Sequence, residues 1–197
     1  MFDPTGPVLG IDPGLSRCGY GAVRREGSQI CAVSYGVITT APSDPIPQRL
    51  AQLAADLDNL VAELQPRSMA VERVLFQNNA RTAISVGQAS GLALVAAARA
   101  GIPVEQYSPN EVKLAVAGHG GADKEQVQLM VTRLLRLGSV PRPPDAADAL
   151  ALALCHEYSG PLRARAAVAS DAPAAMPGSH GSRFDRAVAA AIAREAR

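Results

Sequence analysis

Apolar residues along this chain fall first into short runs and then into helical stripes. Val8, Leu9 and Ile11 form a compact run, residues 19–25 a mixed one, and 30–39 a third carrying Ile30, Ala32, Val33, Tyr35, Val37 and Ile38. Tight connections at Pro13-Gly14 and Glu26-Gly27-Ser28 separate them, so the three read as strands joined by antiparallel hairpins. Beyond Pro45 and Pro47 the period changes: Leu50, Leu53, Leu57, Leu60, Val61 and Leu64 recur at three-to-four spacing, which predicts a helix ending before Pro66. Residues 68–75 give a fourth strand, apolar enough for the centre of a sheet. A long helix follows over 79–100 and is stopped by Gly101.

Residues 103–107 predict a fifth strand. Ser108-Pro109-Asn110-Glu111 then supplies an N-cap serine, a proline at the first helical position and a glutamate at the third, opening a helix to about residue 117. After the Gly118-His119-Gly120-Gly121 loop, further helices are expected over 123–137 and 145–158. The order β-β-β-α-β-α-β followed by helices is that of an α/β domain with a five-stranded mixed sheet flanked by helices.

A chain of 197 residues buries one full core. No uninterrupted apolar stretch reaches membrane-spanning length; the nearest, 83–100, is broken by Ser85, Gln88, Ser90 and Arg99. The N-terminus lacks the basic and apolar regions of a signal peptide. Cys18, Cys31 and Cys155 are odd in number and far apart, as expected of reduced core thiols in a cytoplasmic protein with no membrane partner. From residue 160 the composition turns to Ala, Pro, Ser, Gly and Arg, so the reading is a folded domain over 1–159 and a tail over 160–197, largely disordered, with room for a short helix over 184–194. Charge is distributed unevenly: 13 basic against 15 acidic residues up to position 160, and 6 against 3 beyond it. A modest basic field around an acidic cleft is compatible with DNA.

The candidate chemistry lies in four carboxylates. Asp12 follows the first apolar run, Glu72 ends the run Met69-Ala70-Val71, and Asp145 and Asp148 open an alanine-rich helix after Pro143-Pro144. Acidic side chains rarely interrupt buried segments unless something offsets their desolvation. Asp145 and Asp148, three apart on a helix, face the same way. Each position also has an ordinary explanation: turn chemistry for Asp12, a surface ion pair with Arg73 or Arg81 for Glu72, helix capping for Asp145 and Asp148. Taken together, oxygens from three distant segments point to hard divalent cations, and two Mg²⁺ ions straddling a phosphodiester would need a shared ligand, for which Asp12 is best placed.

Four motifs in order then carry a resemblance: Gly10-Ile11-Asp12-Pro13-Gly14 with Gly19-Tyr20-Gly21, Val71-Glu72-Arg73-Val74, Gly87-Gln88-Ala89-Ser90-Gly91, and Asp145-Ala146-Ala147-Asp148-Ala149-Leu150-Ala151. Over residues 7–159 the chain resembles the RuvC family of crossover junction endodeoxyribonucleases, Holliday-junction resolvases with a ribonuclease-H-like fold. The resemblance implies Asp12, Glu72, Asp145 and Asp148 as the catalytic, metal-binding set, with two Mg²⁺ per site and Mn²⁺ as an alternative ion. It implies a homodimer that makes paired nicks in a four-way junction within a short thymine-containing sequence, and RuvA and RuvB as partners in branch migration.

Lys113 and Lys124 match the family's basic residues near DNA, and each flanks the 118–121 loop, where it can reach a phosphate. Arg73, Asn79 and Arg81 are further candidates for backbone contact. One departure stands out: the family's aromatic three residues after the glutamate is Leu75 here, and Phe76 comes one residue later. One step along a strand reverses side-chain direction, so base stacking by Phe76 requires the loop to re-aim it. Gly87 and Gly91, one helical turn apart, suit either burial within the subunit or a seam between two copies, and the resemblance favours the seam.

Overall fold

The structure, a computed structural model, describes residues 5–74 and 80–169, without the side chains of 80–82 and 160–169. The sheet and the first four helices belong to one unit, which ends at Arg163. The strands are β1 (Val8–Asp12), β2 (Arg17–Glu26), β3 (Gln29–Thr39), β4 (Ser68–Glu72) and β5 (Val104–Tyr107). The helices are α1 (Ile46–Leu64), α2 (Ala80–Arg99), α3 (Pro109–Ala117), α4 (Lys124–Leu134) and α5 (Pro144–Ala169). Among the described residues no helix is long and apolar enough to cross a membrane.

The five strands form one sheet in the order β3-β2-β1-β4-β5. The hairpin pairs β1·β2 and β2·β3 are antiparallel, whereas β1·β4 and β4·β5, joined through helices, are parallel. β1 is therefore central, flanked by one neighbour of each kind. Its alternation divides the core. Leu9 and Ile11 pack toward α1 and α2 with Leu53, Leu57, Met69 and Val71. Val8 packs on the opposite face with Val23, Ala70, Tyr107 and the α3, α4 and α5 side chains. By the two-residue period, Gly10 and Asp12 share the Val8 face.

That face is floored by glycine. Gly10 pairs with Gly21, and Asp12 with Gly19. A Cβ built on Gly10 would lie 2.0 Å from the Ala149 carbonyl oxygen, on Gly19 2.2 Å from that of Asp145, and on Gly21 2.6 Å from the Leu150 nitrogen. The α5 backbone thus rests directly on β1 and β2, with Ala146, Ala147, Ala149, Leu150 and Ala153 fully buried against them. Farther along, Glu157 is buried and held by Arg67 and by Arg25, whose Nε is 3.4 Å from it.

Element ends differ from expectation where neighbours decide them. β4 stops at Glu72 instead of residue 75, because its partners stop there too: Glu72 pairs with Tyr107, the last residue of β5. The last helix, expected to end at 158, runs on through Gly160 and Pro161 to Ala169, since Leu162 through Ala169 are mostly strong helix formers. The remainder of the tail, including 184–194, lies outside the described residues. Ser108 and Glu111 form the expected capping box, and Asp123 and Gln126 form a second at α4. Gly87 is exposed and Gly91 half-buried; among the described residues a Cβ at either would meet nothing within 4 Å, and exposed Ile84 and Val95 flank them on the same outer face of α2.

Gly10→Ala drives a methyl group into the α5 backbone, which cannot move away as a side-chain tip would. We expect a loss of about 3 kcal/mol or more in denaturant unfolding, against about 1 kcal/mol or less for Gly120→Ala, where space is open.

Candidate active site

The register brings the acidic residues to one end of the sheet. Ile11 pairs with Val71, so Asp12 and Glu72 emerge side by side at the ends of adjacent parallel strands. Both lie on the α5 face, Asp12 in step with Val8 and Gly10, Glu72 in step with Ala70. α5 begins above Gly19 and delivers Asp145 from its first turn and Asp148 three residues on. Asp12, Glu72 and Asp148 line a cavity of about 370 Å³ together with Pro109, Val112, Lys113, Lys124, Val127, Ala151 and Leu152. Asp145 stands beside that lining, its carboxylate on the Arg17 guanidinium. Asp12 and Glu72 lie within hydrogen-bonding reach of each other, and Arg73 donates to the Gln106 carbonyl oxygen.

The remaining candidates divide. Lys113 and Lys124 reach the cavity from α3 and α4. Lys124 Nζ lies 2.6 Å from Asp148 Oδ2, and Glu111, its neighbour in sequence to Lys113, is instead occupied by the Ser108 cap. Arg73 is exposed and donates to the Gln106 carbonyl oxygen at 3.0 Å, away from the cavity lining. Phe76 and Asn79 lie outside the described residues, as does the side chain of Arg81.

Two positions were not singled out from the sequence. Arg17 follows the same period as Gly19 and Gly21, which puts it on the α5 face beneath Asp145; alternation along β2 was the signal for it. Arg49 is buried in α1, donating from Nε to Thr40 Oγ1 at 2.9 Å and from Nη2 to Ser16 Oγ at 2.6 Å. Thr40 in turn donates to the Leu15 carbonyl oxygen at 2.6 Å. This network pins the turn that follows Asp12, and its signal, an arginine within a helix's apolar stripe, is ambiguous in sequence.

Burial dominates the electrostatics, and crowding of like charge adds to it. Burial pushes the Asp12 carboxyl up to about 7, reinforced by Glu72, Asp148 and Asp145 and opposed by Lys124. Glu72 is raised by burial and by Asp148, and Asp148 by burial against the opposing contact with Lys124. Lys124 itself is raised: burial works most strongly against its charge, but the bond to Asp148 and the charges of Asp148, Asp12 and Asp145 together outweigh it. Among the described residues no three His, Cys, Asp or Glu side chains are arranged as a finished metal site. The donor set nevertheless fits a hard cation: all oxygen, mutually repelling, and beside a cavity. Asp145 and Asp148 have only to part from Arg17 and Lys124.

Comparison with known proteins agrees over most of the chain. The sequence model of the family described as crossover junction endodeoxyribonuclease RuvC matches residues 8–156. A curated protein of that description from Salinispora arenicola is 56% identical over 165 residues, covering 83% of this chain and 94% of its own. One from Chloroflexus aggregans is 52% identical over 158 residues, covering 80% and 96%. The solved structure of Thermus thermophilus RuvC in complex with Holliday junction substrate superposes with a TM-score of 0.76 at 40% identity, covering 80% of this chain and 96% of that one. The yeast mitochondrial Holliday junction resolvase Ydc2, 18% identical with a TM-score of 0.56, covers 79% of this chain and 80% of its own and shares the fold.

The raised Asp12 carboxyl gives a signed expectation. In chelator, the folded protein keeps a proton that the unfolded chain has already lost, so this contribution to stability is full below about pH 4 and fades as pH rises through about 7. Asp12→Asn removes it. Denaturant unfolding should show the variant gaining on wild type between pH 5 and 8, by on the order of 2–4 kcal/mol; a constant difference would contradict the raised carboxyl.

Proposed function

The chain belongs to the RuvC family of crossover junction endodeoxyribonucleases, and from that membership we propose that it resolves four-way (Holliday) DNA junctions by paired symmetric nicks, in homologous recombination and DNA repair. The fold is ribonuclease-H-like. The observation that carries the reading at residue level is the meeting of Asp12, Glu72 and Asp148 at one cavity that Lys113 and Lys124 also line.

Nucleases of this family depend on metal ions, and here Mg²⁺, two per site, is the proposed cofactor, with Mn²⁺ as an alternative. When bound, the pair supplies Lewis-acid charge that activates water and stabilises the departing 3′ oxygen. Asp12, Glu72, Asp145 and Asp148 would hold it. Asp12, between Glu72 and α5, is the natural shared ligand. Lys113 and Lys124 draw the phosphate backbone into the cavity, and Arg73, Phe76, Asn79 and Arg81 are further proposed DNA contacts. Hydrolysis with this polarity leaves 5′-phosphate and 3′-hydroxyl ends that a ligase can seal.

The homodimer is supported by the outer face of α2, where Ile84, Gly87, Gly91 and Val95 leave a close-approach stripe open. Two like nicks in a junction of two-fold symmetry call for two sites related by the same symmetry. We further propose that the protein works in the cytoplasm on junctions supplied by RuvA and RuvB, on family membership alone.

Cleavage of a synthetic four-way junction with Mg²⁺ tests the site. Asp12→Asn and Asp148→Asn should each lose cutting by at least about a hundredfold while still shifting the junction in a gel, since each removes ligand charge and leaves the basic contacts in place. Normal cutting by both would exclude the assignment. For the dimer, Gly87→Glu places a charge on the open stripe; sedimentation should show a folded monomer.

A further inference from the structure

The two carboxylates that α5 contributes are each in contact with a cation of the protein's own, and those cations differ from the structural ones elsewhere. Glu157 is 3% exposed and held from two sides by Arg67 and Arg25, a contact buried for good. Lys124 and Arg17 instead keep 63% and 50% of their side chains in solvent while reaching Asp148 and Asp145. Their anchors are rigid. Lys124 opens α4, whose start is fixed by the Asp123–Gln126 capping box. Arg17 opens β2, just past the turn that Arg49 pins. Only the side chains need move. An ion pair that exposed contributes little, so a phosphate or a divalent ion competes with it readily.

We propose that Lys124 and Arg17 are exchangeable counter-ions that make divalent-ion binding depend on DNA binding: they occupy oxygens of Asp148 and Asp145 until DNA phosphates draw them off. The proposal rests on reading the carboxylates as metal ligands. Lys124 lines the cavity, so a phosphate entering it meets the ammonium and offers it a second acceptor. Once that cation turns to the phosphate, Asp148 regains its lone pairs and its full negative charge, both of which a divalent ion needs. Arg17 serves Asp145 in the same way from the strand side. Coupling of this kind is reciprocal: DNA tightens metal binding and metal tightens DNA binding by the same factor. The hydrolytic centre thereby assembles chiefly on protein already engaged with its substrate.

Calorimetric titration of the full-length protein with Mn²⁺ alone tests this without turnover. Lys124→Met and Arg17→Met should each bind Mn²⁺ more tightly than wild type, on the order of tenfold, because a competitor has gone. Lys113→Met lines the same cavity but removes no ion pair seen among the described residues, and should match wild type. Unchanged or weaker Mn²⁺ binding in both Lys124→Met and Arg17→Met overturns the proposal, as a merely structural role would loosen the site. A second measurement uses the unsubstituted chain. It has only two lysines, so ¹³C reductive methylation, which keeps their charge, labels Lys113, Lys124 and the N-terminus alone. Mg²⁺ should shift the Lys124 signal and leave that of Lys113 in place; a Lys124 signal unmoved at saturation overturns the exchange. Failure of the variants alongside normal wild-type Mn²⁺ binding removes the coupling alone. A wild type that binds no Mn²⁺ removes the ligand set, and the coupling with it.

Discussion

Backbone-to-backbone contact between α5 and the first two strands is the constraint from which the rest of this molecule follows. Side chains usually hold a helix about 10 Å from a sheet, and acidic groups on its first turn could not then meet an aspartate on the strand below. Here Gly10, Gly19 and Gly21 remove the spacers on one side, and alanines shorten them on the other. Glycine in a strand weakens it by its entropy and its missing side chain. β1 accepts that cost at the centre of the sheet, where a strand is paired on both sides and best able to bear it.

Close approach also creates an electrostatic load. Burial and the charges of their neighbours both oppose ionisation of acids packed this closely, and the raised Asp12, Glu72 and Asp148 carboxyls express this. The chain distributes the relief. Asp12 and Glu72 lie within hydrogen-bonding reach of each other, while Asp145 and Asp148 take cations from β2 and α4. Apolar replacement of such ion pairs often costs little, so stability alone does not explain acidic residues at all four positions. A ligand that uses their combined charge does.

Much of this was legible in the sequence because local rules and the global fold agree. The apolar runs that end in Asp12 and Glu72 mark both as acids on sheet strands, and the spacing of Asp145 and Asp148 makes them face the same way on one helix. Ser108 and Glu111 announce the α3 cap as plainly as any pair in the chain. What was hidden depends on partners distant in sequence. Nothing near Arg17 reveals that Asp145, 128 positions away, will settle on it. Glu111 and Glu125 lie within two residues of Lys113 and Lys124 in the chain, yet Lys124 turns to Asp148 because α4 starts beside α5. Gly87 and Gly91 pose the same difficulty in reverse, since a close-approach motif is written alike whether the approaching helix is in the same chain or another.

The architecture assigns rigidity and mobility to different parts of one site. Carboxylates sit on strand ends and on a helix fixed at its start by glycine contact and farther along by the Glu157 clamp, so their mutual geometry is set by backbone. The two cations in contact with them, Lys124 and Arg17, are on long, half-exposed side chains rooted at the start of a helix and of a strand. A nuclease needs the first arrangement because misplacing a metal ligand by an ångström is costly. It needs the second because phosphates arrive in varied positions, and a flexible cation follows them with little loss. The same division explains why the floor is glycine and not a larger apolar residue: precision here comes from the backbone itself, which has the fewest ways to relax.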